Sequence, residues 1–191
     1  MSDKPRILQN SRDMILTMVV LLIACVAIAW ISGSVSFSGR KHDAVPAFQV
    51  HQALQADART MPFPIRDPQV PHGWKPNSGR TGSIGDNLVS SVGYITNEGM
   101  FLQLSQTNGP ESGLVTYMDG SRQVDAQPVT AGGRQWVAYD YENGNKAWTT
   151  HLDGVWIGLY GKASDDDFNT LATIVVHTPP ISKESVGSMP K

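Results

Sequence analysis

From Met14 to Ile31, eighteen consecutive residues carry no charge, and Thr17 is the one clearly polar side chain among them. About 20 apolar residues at ~1.5 Å each cross the ~30 Å hydrocarbon layer of a bilayer, and a helix satisfies its own backbone there. The apolar stretch therefore predicts a transmembrane helix over residues 14–35. It divides the chain into a short tail (1–13) and a polar remainder long enough for one domain with a real core.

Charge supports that division. Between Ala44 and His177 there are 13 acidic and 8 basic side chains, a net of −5. An acidic domain without a basic stripe argues against nucleic acid as a partner. Lys4, Arg6 and Arg12 precede the apolar stretch, whereas Arg40 and Lys41 follow it. The positive-inside bias then places the N-terminus in the cytoplasm and the domain outside, by three basic residues to two. Trp30 suits the far membrane–water interface.

The single cysteine, Cys25, lies inside the apolar stretch, so the domain holds no disulfide, thiolate metal site or cysteine nucleophile. Leu22-Ile23-Ala24-Cys25 also fits a lipoprotein cleavage site. There the polypeptide would be cut before Cys25 and the thiol lipidated. Against this, Val26 to Ile31 continue the apolar run. An uncleaved anchor is the favoured reading; a lipoprotein and ordinary signal cleavage are the others. All three keep the domain at or beyond the membrane.

After a Ser/Gly-rich linker (36–47), an α+β domain is expected over residues 48–177, with a disordered tail from 178 to 191. Val50, Ala53, Leu54, Ala58 and Met61 recur at helical spacing, and Pro62 stops that helix. A strand follows near Trp74 to Arg80. Asn97-Glu98-Gly99 joins two strands in a hairpin that pairs Tyr94 with Leu102 and Val92 with Leu104. A short helix is expected from Pro110 to Met118, then three further strands. Ser164 caps a closing helix whose first turn, Asp165-Asp166-Asp167, offsets the helix dipole.

Three stretches together resemble a known family: Pro5-Arg6-Ile7-Leu8-Gln9-Asn10-Ser11-Arg12-Asp13-Met14, Pro62-Phe63-Pro64, and Val70-Pro71-His72-Gly73-Trp74. It is an actinobacterial family of single-pass membrane proteins, described only as a domain of unknown function. The resemblance implies a location in the cell envelope and brings no catalytic residue, cofactor or substrate.

The residues themselves offer no catalytic constellation. The Asp165–Asp167 run lacks the alternating ligands, central Gly and terminal Glu of a calcium loop. No phosphate loop, nucleophile elbow or His-Glu-x-x-His occurs, and His72 reads as a turn residue. No cofactor or metal is expected. What remains is a surface. Taking Asn143-Gly144 and Asp153-Gly154 as two-residue turns puts Val137, Trp148, Ile157 and Leu159 on the core side. The opposite side then carries Trp136, His151 and Trp156 in one row, with Tyr160 nearby. That aromatic face suits a glycan, lipid headgroup or protein partner, unless a helix covers it. The favoured function is a non-catalytic accessory protein of the envelope, with the membrane and an envelope protein as its expected partners. The alternative is a ligand-binding module using Trp136, His151, Trp156 and Tyr160; an enzyme comes last.

Overall fold

The structure is a computed structural model that describes residues 14–25 and 49–182. The chain divides into two units, residues 1–45 and 46–191. In the first, residues 14–25 form a helix, α1. Its large apolar side chains are all exposed, from 51% at Val19 to 68% at Met14. Among the described residues no helix is long and apolar enough to cross a membrane. Residues 26–35 of the expected span and the linker 36–47 lie outside the described residues.

The second unit is α+β, built on a seven-stranded antiparallel sheet. In chain order it runs α2 (Val50–Thr60), β1 (Lys75–Ile84), β2 (Asn87–Ile95), β3 (Phe101–Thr107), α3 (Glu111–Met118), β4 (Gln123–Ala131), β5 (Arg134–Tyr141), β6 (Lys146–Leu152), β7 (Val155–Gly161) and α4 (Asp165–His177). The sheet order is β1-β2-β3-β7-β6-β5-β4, so each half is a meander and the halves join where β3 pairs with β7.

Register assigns each face. Tyr94 pairs with Leu102 and Val92 with Leu104, as the Gly99 turn predicts. Leu104 pairs with Leu159, and Leu159 with Trp148, which carries the same apolar face into the second half. Helices α2 and α4 cover it. Leu54 of α2 and Phe168, Leu171 and Val175 of α4 are wholly buried there. The Phe168 ring lies 5.4 Å from that of Trp148. Each such side chain contributes roughly 1.5–3 kcal/mol by leaving water. Ser164 caps α4 as expected, its hydroxyl accepting from the Asp167 amide at 3.2 Å.

Two elements differ from the sequence reading, and a third is added. The turn after β6 is of the two-residue kind, with Asp153 and Gly154 both at positive φ (50° and 80°). The turn after β5 is not. Tyr141 N–H donates to the Asn145 carbonyl at 3.0 Å, and Gly144 N–H to the Tyr141 carbonyl at 2.9 Å. Only Gly144, at φ 76°, is left-handed in this loop; Asn143 is not. The loop therefore has three residues, Glu142 to Gly144, a tight turn closed by a left-handed glycine. That one extra residue pairs Ala138 with Trp148 and Val137 with Thr149, which turns β5 over relative to the expected register. The added element is β4, an exposed edge strand that the sequence reading did not include. Thr178 to Ile181, assigned to the tail from sequence, belong to the fold. Arg66 bridges Pro180, and Ile181 N–H donates to the Ile65 carbonyl at 2.7 Å.

Candidate functional site

The inverted β5 separates the four residues of the expected aromatic face. Trp136 lies on the core side, 1% exposed, with its indole N–H donating to the Ala131 carbonyl at 3.3 Å. Its place in the row with His151 and Trp156 is thus corrected: the extra loop residue moved it to the opposite face. Val137 moves the other way, out of the core row. His151 and Trp156 do pair across β6 and β7, with ring centroids 5.0 Å apart, and His151 is exposed.

Tyr160 remains on their side but its hydroxyl is committed. Helix α3 lies across this face, with Leu114 and Met118 buried over Gly158. A Cβ at Gly158 would meet the Met118 sulfur at 2.6 Å, so the absent side chain is what seats the helix. A carboxylate at each end holds α3 down. At its start Glu111 accepts from Tyr139 Oη at 3.0 Å and Thr149 Oγ1 at 2.6 Å. Just past its end Asp119 accepts from Tyr160 Oη at 3.0 Å, Asn143 Nδ2 at 2.8 Å and Asn145 Nδ2 at 2.9 Å. The Ser121 amide donates to the other carboxylate oxygen at 2.8 Å.

These contacts set the local protonation. Burial, then the bond to Asp119, pushes the Tyr160 hydroxyl up to about 12. Burial and the charge of Asp119 likewise push Tyr141 up to about 12. Both phenols stay protonated donors at neutral pH. At Asp119 burial opposes the charge, but the hydrogen bonds from Asn143, Ser121 and Asn145 outweigh it and hold the carboxyl well below the usual range. A carboxyl depressed in the folded state adds stability that is fully present above the unfolded value of ~3.9 and is lost as pH falls through the folded value. The stability gap between the wild type and Asp119→Ala should therefore be constant near neutrality and narrow progressively below about pH 4. Urea unfolding at a series of pH values reads this. A gap that widened on acidification would show that Asp119 is not held as a carboxylate.

A second cluster, which the sequence reading did not contain, sits at the start of α2. His51 Nδ1 pairs with Asp67 Oδ2, and Gln55 Nε2 lies 2.7 Å from His51 Nε2. Beside this pair is a cavity of about 380 Å³, walled by the first turn of α2, residues 67–70, Pro76 and Tyr94. Nothing local in the sequence signals it, because His51 and Asp67 are separated by a helix and a proline-rich turn. Among the described residues no group of three or more metal-ligating side chains occurs.

No match emerges among curated proteins or among solved structures. Residues 6–175 match the model of the family described as "Protein of unknown function (DUF4245)", and the chain belongs to that family.

Proposed function

We propose that this is a single-pass, membrane-anchored accessory protein of an actinobacterial cell envelope, non-catalytic, with its α+β domain outside the membrane. The observation that carries the reading is α1, whose large apolar side chains are more than half exposed on every side. An uncharged helix of that kind requires an apolar surrounding, and the eighteen-residue run to Ile31 supplies the length for a bilayer. The basic excess before it supports the orientation. The accessory role is supported by the use of the polar clusters under α3, which Glu111 and Asp119 spend on holding the helix in place.

The full chain should stay with membranes through alkaline carbonate extraction, and deletion of residues 14–31 should release it. In intact cells an external protease should remove a tag at Lys191 and spare one at Met1. Release by carbonate would sink the anchor, and protection of the Lys191 tag would reverse the orientation. Fatty-acid incorporation that disappears in Cys25→Ser would replace the anchor by a lipidated cysteine.

A further inference from the structure

The sheet is open at both sides, and its two edge strands, β1 and β4, are finished differently. Hairpin geometry tells which backbone groups of each point away from the sheet. In β4 the two-residue loop Gly132-Gly133 closes on the pair Ala131–Arg134, whose backbones exchange both hydrogen bonds. Alternation from there turns the backbones of Ala126, Pro128 and Thr130 outward. Pro128 has no N–H to offer, and the Ala126 amide donates to Asp125 Oδ1 at 2.8 Å. Of the three, only Thr130 keeps its outward donor. A proline and a carboxylate thus blunt β4 against pairing with another chain.

Strand β1 carries no such device. Its loop Gly85-Asp86 closes on the pair Ile84–Asn87, which turns the backbones of Gly79, Thr81 and Ser83 outward. All three residues are exposed, and none is a proline. Among the described residues no side chain accepts from their amides. Residues 78–83 are small apart from Arg80, which lies over the Tyr117 ring of α3, 5.1 Å from its centroid. Nothing described therefore shields this edge, and an unguarded edge is a template for another strand.

Register and charge select that strand. Antiparallel pairing with an identical strand matches all three outward residues when Thr81 stands opposite the partner's Thr81. Gly79 then stands opposite the partner's Ser83, and about six main-chain hydrogen bonds form. Arg80 faces the partner's Gly82, where there is room for it. Moving the twofold axis to residue 80 would instead set Arg80 against the partner's Arg80, two like charges directly opposed. At both ends of the pairing Lys75 comes beside the partner's Asp86. Lys75 and Asp86 are exposed, and neither has an ion pair within the chain among the described residues. We propose that β1 pairs with β1 of a second copy, joining two seven-stranded sheets into one about a twofold axis at Thr81.

Light scattering of the full-length protein in detergent gives the first test. At about 100 µM, a concentration set by the small area that one strand pair buries, the protein mass should be twice 20.7 kDa. Thr81→Pro copies the device of β4. It removes an outward amide that takes no part in the β1–β2 bonding, and should return the mass to that of one chain. Lys75→Glu should weaken the dimer about fivefold or more, and adding Asp86→Lys should restore it, whether or not Thr81→Pro folds. In a Cys25→Ser background, oxidation should link Thr81→Cys across the axis, where paired Cα atoms lie ~5.5 Å apart. Thr130→Cys, on the blunted edge, should stay unlinked. A wild-type monomer, a dimer that persists in Thr81→Pro, equal linking at the two edges, or no rescue by the double charge reversal would each overturn the proposal. None of these outcomes bears on carbonate extraction, so the anchor stands or falls separately.

Discussion

Trp136→Ala should cost the domain about 3–5 kcal/mol, whereas Trp156→Ala should cost about 1–2 kcal/mol. The two tryptophans sit on neighbouring parts of one meander, but the three-residue loop puts them on opposite faces. Trp136 is closed in among the α2 and α4 core, and its removal leaves a cavity that rigid neighbours cannot fill. Trp156 is half-buried at the margin of the α3 cluster, where water can take its place. Urea unfolding of residues 46–191 measures both. Equal losses would mean that the β5–β6 loop holds two residues after all and that the two rings share a face.

That loop also shows where sequence reading stops. Asn-Gly serves two hairpin geometries, and only the conformation of Asn143 tells them apart. The pattern of β5 does not arbitrate, because Trp136 and Ala138 alternate with Val137, Tyr139 and Tyr141, leaving both faces apolar. Where one face is plainly apolar the register was legible: Tyr94 with Leu102, and Trp148 with Leu159. Helices α2, α3 and α4 were legible too, since each has a periodic face and a clear stop. Strand β4 was not, because an exposed edge strand such as Gln123-Val124-Asp125-Ala126-Gln127-Pro128 has no buried face to impose alternation. Of the expected aromatic face, only the His151–Trp156 pair survives, with His151 exposed and Trp156 half-buried. The cavity by Tyr94 depends on contacts between α2 and residues 67–70 that no local pattern encodes.

The second large effect concerns Arg66, and there the exposed partner should matter more than the buried one. The Arg66 guanidinium is 7% exposed; it donates to Asp153 in the β6–β7 turn and to the Thr178 carbonyl at the end of α4. Its own amide and carbonyl are held by the Gln106 side chain at 2.8 and 2.9 Å. The residue therefore ties the segment before β1 to β3, to the β6–β7 hairpin and to the closing helix. Asp153 is 60% exposed, so once Arg66 is gone its carboxylate simply hydrates. Arg66→Met should then cost about 2 kcal/mol, the loss of charged hydrogen bonds with the stem packing largely kept. Removing Asp153 instead strands a buried guanidinium on one carbonyl, and a stranded buried charge costs about 3–5 kcal/mol. Gly is the variant to use, because Asp153 sits at φ 50° and glycine adopts that conformation without strain. Asp153→Gly should cost more than Arg66→Met, and adding Arg66→Met to Asp153→Gly should restore part of the loss. Were Asp153→Gly to cost under about 1 kcal/mol, the pair would be an ordinary surface ion pair and the clasp would rest on Gln106 and the Thr178 contact alone.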